Sequence, residues 1–329
     1  MALAHPPKLV VLRALGVGDL LTGVPALRAL ADAFPEHERV LAAPAPLAPL
    51  AALTGAVHRV EHVRELEPLP PALGGADLAV NLHGRGPQSH RLLSAARPRR
   101  TIWFEHPELP ETRGSPRWRP GEREAARWCR LLEESGVPAN ASRLALEPPA
   151  CAPQLVERAR GATLIHPGAA YPARRWPVSR FAAVARAEAS AGRRVVVTGG
   201  PAEVELARSV AAAAGPPGAH VLAGCTDLSE LAGVVAAAAR VVCGDTGVAH
   251  LATALGTPSV VLFGPSAPSE WGPPPGNPRH RVLWRGWSGD PHGERPDPGL
   301  LAIEVEDVLA ALALLPAVDA EGRAARRAA

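Results

Sequence analysis

The sequence lacks a hydrophobic run long enough to cross a membrane. Its apolar runs, such as those at 9–12, 195–197 and 259–263, fall far short of the ~20 residues that a membrane-spanning helix needs. The first residues, MALAHPPK, do not join a charged segment to an apolar one as secretory signals do. The sequence therefore predicts a cytoplasmic protein, and it leaves open a peripheral association with the inner face of the cell membrane.

Cysteine is also scarce, and its spacing excludes the usual metal-binding patterns. No CxxC pair and no Cys/His ligand spacing surrounds any of the four cysteines, Cys129, Cys151, Cys225 and Cys243. Scattered cysteines of this kind are typical of reduced thiols in a cytosolic protein. We therefore expect no structural zinc and no metal site.

The basic charge is almost entirely arginine, because Lys8 is the only lysine. A formal net charge of +3 is too small to indicate nucleic-acid binding, so we expect no nucleic-acid partner. Residues 85–130 nevertheless hold eleven arginines and five glutamates, interleaved with aromatic side chains at Trp103, Phe104, Trp118 and Trp128. This segment either meets an acidic or lipid-linked partner or is a solvated surface.

Short apolar strands alternate with helical stretches along most of the chain. Strands are predicted at 8–12, 39–42, 77–82, 162–165, 194–198, 241–243 and 259–263, and the clearest helices at 19–34, 181–190 and 305–314. This alternation predicts an α/β fold with parallel sheets.

The segment EPPACAP, at 147–153, interrupts the pattern and indicates a linker between two domains. We place an N-terminal domain at 1–150 and a C-terminal domain at 151–303, followed by a helical segment at 304–316 and a flexible tail at 317–329. Residues 265–298 are so rich in Pro, Gly and Trp that no regular element is predicted there.

The strongest candidate ligand site follows the strand at 241–243. Small residues at a strand-to-helix turn expose helix N-terminal amides, which bind phosphate. Thr246 adds a hydroxyl, Gly247 removes a Cβ, and His250 lies near the same helix end. The alternative is an ordinary N-cap at Asp245 with a core histidine behind it.

A second candidate turn, Gly16-Val17-Gly18-Asp19, follows the first strand. It suggests a dinucleotide-binding GxGxxG motif with Glu38 as the ribose acid, but Leu21 occupies the third glycine position. Asp19 is therefore a candidate general base, or simply the N-cap of the next helix.

Charged residues follow two strands of the second domain. Arg174 and Arg175 are placed to neutralise a diphosphate, or they are ordinary exposed arginines. Glu203 is placed to accept the hydroxyls of a ribose, or it favours the start of its helix.

Four stretches together resemble glycosyltransferase family 9, the ADP-heptose:lipopolysaccharide heptosyltransferase family. They are GDLLTGVPALRAL (18–30), HPGAAYPARRWP (166–177), GGPAEVELA (199–207) and GDTGVAHLATALGTPSVVLFGPSAPSEWGP (244–273). The resemblance implies the GT-B fold, with two Rossmann-like domains whose parallel sheets face a central cleft. It also implies that the final helix packs back on the first domain.

The resemblance assigns roles to residues. Asp19 matches the proposed catalytic base, with Gly18 beside it. The residues that match the family's donor-binding site are Arg174, Glu203, Leu228, Asp245, Thr246, Gly247 and His250. Further candidates for this site are Gly168, Arg175 and Glu205. Arg174 stands where lysine is usual, Glu205 is the alternative to Glu203 in an uncertain register, and Asn81 stands where many relatives carry an acid.

The function implied is inverting, metal-independent transfer of a sugar, with heptose as one candidate, in cell-envelope glycan biosynthesis. The donor is a nucleoside-diphosphate sugar, expected to be an ADP-sugar, and the acceptor is a hydroxyl of a glycan or glycolipid. No cofactor is expected besides this nucleotide-sugar substrate. A GT-B epimerase or hydrolase and a non-catalytic nucleotide-sugar binder remain alternatives, and an NAD-dependent dehydrogenase fits least well.

Overall fold

The structure is a computed structural model that describes residues 6–215 and 219–316. The chain divides into two compact units, Met1–Leu146 and Glu147–Ala329. The division lies at the start of the proline-rich segment that was predicted to be the linker. The predicted flexible tail, 317–329, lies outside the described residues.

The first unit alternates strands and helices. In chain order it contains β1 (Lys8–Leu12), α1 (Val17–Ala33), β2 (Glu38–Ala43), α2 (Ala48–Leu53), β3 (Arg59–His62), β4 (Leu78–Asn81), α3 (Gln88–Ala95), β5 (Thr101–Ile102) and α4 (Glu124–Glu134). The short strands β3 and β5 were not predicted, because neither has an apolar run of its own.

The sheet of the first unit is parallel throughout, in the order β3-β2-β1-β4-β5. Its central strands are aliphatic and buried along nearly their whole length, as expected where helices cover both faces. The chain moves outward from β1 to β3 and then returns to place β4 on the other side of β1. The carboxyl ends of β1 and β4 therefore border a topological switch point, where open α/β sheets bind ligands. We call it the first switch point.

The second unit repeats this organisation with more elements. It contains α5 (Pro153–Ala159), β6 (Thr163–His166), α6 (Val178–Ser190), β7 (Val195–Val197), α7 (Val204–Ala214), β8 (His220–Val221), α8 (Leu228–Ala237), β9 (Arg240–Gly244), α9 (Gly247–Leu255), β10 (Ser259–Leu262), α10 (Pro268–Trp271), β11 (His280–Leu283), α11 (Pro298–Leu301) and α12 (Val305–Ala313). All its strands are parallel, in the order β11-β10-β9-β6-β7-β8.

The order of these strands again defines where a ligand would bind. The chain moves from β6 outward to β8 and then returns to β9 on the other side of β6. The carboxyl ends of β6 and β9 border the second switch point, and His166 pairs in register with Cys243 there.

The final helix, α12, buries Val308 and Leu312 in the core of the second unit, against α6, β10 and β11. Its expected packing on the first domain stays a prediction. An apolar stripe must be buried, but the sequence does not specify which surface covers it.

The segment 265–298 was predicted to have no regular element, yet it contains α10 and the edge strand β11. Prolines and glycines flank β11 rather than interrupt it, so its backbone remains free to pair with β10.

Candidate functional site

Asp19 lies at the first switch point, inside the first turn of α1. Gly16 occupies the N-cap position, Gly18 lies within the first turn, and the Asp19 carboxylate accepts a hydrogen bond from the Gly16 amide at 3.2 Å. The N-cap interpretation of Asp19 was therefore wrong in position, although the side chain does stabilise the helix start. A quarter of the Asp19 side chain is exposed, so the carboxylate is accessible at the switch point.

Arg13 approaches Asp19 from the protein interior, and sequence reasoning missed it. Its guanidinium Nη2 lies 3.7 Å from the Asp19 carboxylate and 3.3 Å from that of Glu124. A charged residue that directly follows an apolar strand, as Arg13 follows VVL, was the available signal. Buried arginines are found almost only with such partners.

His83 follows β4 and shares this environment. Its pKa is lowered to about 4, chiefly by burial and also by the Arg13 charge, while the Asp19 charge acts in the opposite direction. The imidazole is consequently neutral at physiological pH. Its Nδ1 is buried and, within the described part of the chain, makes no hydrogen bond.

The amide of Asn81 suits its buried neighbours better than a carboxylate would. Its Nδ2 donates to Ser89 Oγ at 2.9 Å and lies 3.1 Å from His90 Nδ1. Because His90 Nε2 contacts the Phe104 carbonyl at 2.8 Å and must donate there, Nδ1 is the acceptor of this network. Asn81 therefore supplies donors that an acid lacks.

The arginine- and aromatic-rich segment 85–130 does not form one combined surface. Trp103, Phe104 and Trp128 are buried, and Trp118 packs edge-on against the last two. Many of its arginines pair with acids of the same unit, at Arg91, Arg99, Arg117, Arg119, Arg127 and Arg130. Three of the four rings therefore build the interior of the first unit, and a contact of the exposed arginines of this segment with an acidic or lipid-linked partner stays a prediction.

At the second switch point, β9 leads directly into the turn before α9. Asp245 is buried, Thr246 occupies the N-cap position, and Gly247 begins the helix. The alternative of an Asp245 N-cap was therefore wrong. Thr246 makes no side-chain capping bond, so the first amides of α9 are not capped by its hydroxyl.

Arg174 lies beside this turn. Its Nη1 is 4.0 Å from the Asp245 carboxylate, and its guanidinium lies 5.6 Å from the centre of the Tyr171 ring. The two turns are closely packed, because a Cβ added to Gly244 would lie 2.8 Å from the Arg174 carbonyl oxygen. The neighbouring Arg175 instead donates from Nε to the carbonyl of Ala169 at 2.9 Å.

Glu203 reaches the turn that follows β6. Its carboxylate accepts the Gly200 amide at 2.7 Å and lies 3.8 Å from His166 Nε2. A Cβ on Gly168 would lie only 2.0 Å from Glu203 Oε1, so the glycine makes room for the acid. By contrast, the side chain of Glu205 is 84 % exposed and pairs with Arg208.

His166 is the histidine that ends β6. Full burial lowers its pKa, although the Glu203 charge opposes this shift. Its Nδ1 lies 3.0 Å from Thr198 Oγ1. The His166 imidazole therefore lies between the Glu203 carboxylate and the Thr198 hydroxyl.

Two further residues were predicted to bind the nucleotide-sugar donor: His250, in α9, and Leu228, at the start of α8. The His250 ring in α9 is 6.2 Å from that of Trp271, at an interplanar angle of 75°. Leu228 is the first residue of α8, is partly exposed and follows the N-cap Asp227. A contact of Leu228 with a nucleotide base stays a prediction.

Within residues 6–215 and 219–316, no group of three or more His, Cys, Asp or Glu side chains is arranged to hold a metal ion. No helix in the same described ranges is long and apolar enough to span a bilayer. The four cysteines are free, and burial raises the pKa of the Cys129 thiol to about 12 and also raises that of Cys243.

Residues 120–298 match the family described as glycosyltransferase family 9 (heptosyltransferase). A curated relative, lipopolysaccharide heptosyltransferase 2 of Salmonella typhimurium, is 36 % identical over 106 residues. That alignment covers 31 % of this chain and 30 % of the relative, so the match spans less than a third of the relative's length.

Solved structures match over nearly the full chain. The structure of the E. coli ADP-heptose lipopolysaccharide heptosyltransferase II has a TM-score of 0.75 at 23 % identity, covering 93 % of this chain and 98 % of that one. E. coli heptosyltransferase WaaC with ADP has a TM-score of 0.67 at 19 % identity, covering 93 % and 97 %. This likeness shows the GT-B fold that the sequence predicted.

Proposed function

The chain belongs to glycosyltransferase family 9 (heptosyltransferase), and on that premise we propose that it transfers a heptose from ADP-heptose to a lipopolysaccharide-type acceptor. The single observation that carries the proposal is the second switch point. There Arg174 Nη1 lies 4.0 Å from the Asp245 carboxylate, beside the first turn of α9, whose N-cap residue Thr246 makes no side-chain capping bond. The family match contains this whole turn.

The second unit is proposed to bind the donor. Helix N-terminal amides and an arginine are both suited to a diphosphate, and Thr246, Gly247 and His250 lie at the same helix end. Glu203 is proposed to accept the ribose hydroxyls, because its carboxylate lies against the Gly168 turn. Asp245 is proposed to orient Arg174, and Leu228 to contact the adenine.

Asp19 of the first unit is proposed to be the general base. Its carboxylate takes the proton of the acceptor hydroxyl while the hydroxyl oxygen bonds to the anomeric carbon. The bond from that carbon to the diphosphate breaks, and attack from the opposite face inverts the configuration. Arg174 and the α9 amides stabilise the departing diphosphate, so this mechanism requires no metal and no cofactor.

The acceptor is proposed from the names of the relatives. Lipopolysaccharide heptosyltransferase 2 is the name of the curated relative that shares 36 % identity with part of this chain. The exposed arginines of the first unit, Arg85, Arg97, Arg100 and Arg113, are suited to an anionic glycolipid.

The proposal is tested first by binding and then by turnover. We expect calorimetric titration to show ADP binding more tightly than UDP, GDP or NAD, with the same affinity in EDTA and in Mg²⁺. We then expect ADP release from ADP-heptose only when heptose-deficient lipopolysaccharide is present, and an inverted anomeric product by NMR.

Other outcomes separate the alternatives. Preference for UDP or GDP would contradict the ADP-sugar donor. Turnover of ADP-heptose without an acceptor would indicate an epimerase or hydrolase instead of a transferase. Binding without any turnover would indicate a non-catalytic nucleotide-sugar binder.

A further inference from the structure

Arg13 is an unusual residue in the first unit because it is a cation with no access to solvent. Its side chain is 0 % exposed, although it follows β1 directly at the first switch point. Burial of a charge is costly unless its hydrogen bonds are made within the protein. The partners of Arg13 therefore indicate what the residue does.

Every nitrogen of the Arg13 guanidinium has a partner. Nε donates to the backbone carbonyl of Asp19, and Nη1 donates to the carbonyl of Leu82. Nη2 donates to Thr22 Oγ1 at 3.1 Å and to Glu124 Oε1 at 3.3 Å. One side chain thus ties the ends of β1 and β4 to helices α1 and α4.

Helix α1 is shaped to accommodate this side chain. Thr22 accepts from Arg13 and donates to the Asp19 carbonyl at 3.0 Å, so it reinforces the same turn. A Cβ on Gly23 would lie 3.0 Å from both Cδ and Nε of Arg13. Thr22 and Gly23, the Thr-Gly pair in GDLLTG, therefore have a physical role. Thr22 binds the Arg13 guanidinium, and Gly23 leaves room for the Arg13 side chain.

The far side of Arg13 is equally well packed. Its guanidinium lies 5.0 Å from the centre of the Trp128 ring, and Trp128 Nε1 donates to Glu124 Oε1 at 2.8 Å. Glu124 is therefore held by Trp128 as well as by Arg13. Such a satisfied buried network holds its members in one geometry.

We propose that Arg13 is a positioning residue for Asp19: it holds the first turn of α1 and a positive charge 3.7 Å from the carboxylate, so that the carboxylate keeps one orientation. Arg13 does not contact substrate, because its side chain is not exposed. The expected effect of Arg13 on catalysis rests on the proposed role of Asp19 as the base. The ordering of the first turn of α1 by Arg13 does not depend on that role.

The test compares Arg13→Met and Arg13→Lys with Arg28→Met. Arg28 lies on the same helix and donates to the carbonyls of Thr54 and Arg143, away from the Asp19 turn. Amide hydrogen exchange is measured along α1, together with the ADP dissociation constant and with kcat and KM for ADP-heptose and heptose-deficient lipopolysaccharide.

For Arg13→Met we expect at least tenfold faster exchange at the amides of Gly16 and Leu20. We also expect kcat to fall about 100-fold while KM for ADP-heptose and the ADP affinity stay within twofold. Arg13→Lys keeps the charge but not the forked geometry, so it should recover part of the loss. Arg28→Met should leave kcat and the exchange of the first turn within threefold of wild type.

Unchanged amide exchange at Gly16 and Leu20 in Arg13→Met would overturn the proposal. A loss of kcat in Arg28→Met as large as that in Arg13→Met, with the same Tm for both variants, would also overturn it. If Arg13→Met does not fold, Gly23→Ala is used, because its Cβ presses on the guanidinium stem. Gly23→Ala should then lower kcat without changing KM, and wild-type exchange and kcat would overturn the proposal. If the wild type transfers no sugar, the proposed function fails, and the exchange comparison still decides the role of Arg13.

Discussion

The two switch points contain the same residue types but pair them differently. At the first, Arg13 is buried, and its Nη2 lies within 3.3 Å of Thr22 and Glu124. At the second, Arg174 is 22 % exposed in its side chain and lies 4.0 Å from Asp245. Its Nε, among the described residues, has no hydrogen-bond partner.

This difference separates a structural arginine from one that is able to bind a ligand. A buried guanidinium whose three nitrogens all donate within its own chain positions its neighbours instead of binding a substrate. A guanidinium held loosely beside helix amides can still form charge-assisted bonds to a diphosphate. The comparison predicts chemistry at the exposed acid of the first switch point and anion binding at the second.

Asp19→Asn tests the chemical half of this comparison and should have the largest effect. We expect kcat to fall roughly 1,000-fold, because an amide cannot take the acceptor proton. The ADP dissociation constant from calorimetry should stay within threefold. Asp32→Asn, at an exposed acid near the end of the same helix, is the matched control and should keep wild-type kcat. A loss of ADP binding in Asp19→Asn would contradict the division of roles.

His83→Gln tests whether water is excluded from the His83 side chain at the first switch point, as its burial indicates. The folded pKa of about 4 lies below the ordinary 6.5, so only the unfolded chain gains a proton as pH falls from 6.5 to 4. The wild type should lose at most about 3 kcal/mol of unfolding free energy from this residue over that window.

Urea denaturation at pH 7.5 and pH 4 measures this loss, which should be smaller in His83→Gln. His280→Gln is the comparison in the second unit, since burial also lowers the pKa of His280 to about 4. Equal acid sensitivity of His83→Gln and wild type would show that His83 is solvated.

Arg174→Met tests the binding half of the comparison. Loss of a charge-assisted bond costs about 2 kcal/mol, so the ADP dissociation constant should rise about 30-fold. Arg180→Met is the control, because Arg180 binds the Ile303 carbonyl and Glu304. Similar weakening in both variants, measured by calorimetry, would mean that general positive charge accounts for binding.

Gly168→Ala should have the smallest effect and refines the role of Glu203. The new Cβ would displace the Glu203 carboxylate, which is the end of a flexible side chain, so Tm should change little. The ADP dissociation constant should rise about fivefold, roughly 1 kcal/mol. Combining Gly168→Ala with Glu203→Ala should add nothing to Glu203→Ala alone. A large fall in Tm with unchanged ADP affinity would assign the glycine a purely structural role.

Much of the fold was predictable because strands and turns are local. The aliphatic runs at β1, β6, β9 and β10 predicted parallel strands, and the structure and the structural relatives confirm the α/β class and the GT-B fold. The family was also predictable, because the motifs around residue 245 are long and continuous in sequence. The family match over residues 120–298 confirms it. Short edge strands such as β11 were missed, because their pairing depends on a neighbour and not on their own composition.

The sequence by itself determined the residue types at each turn, the alternation of elements and the family. Only the tertiary structure decided which charged side chains are paired within the protein and which stay accessible to a ligand. Arg13 and Arg174 each follow or lie near a strand end in sequence, but Arg13 donates to Glu124, 111 residues away, whereas Arg174 Nη1 lies 4.0 Å from the Asp245 carboxylate. Sequence patterns report periodicity along the chain, whereas burial and charge pairing depend on residues that folding brings together from distant positions.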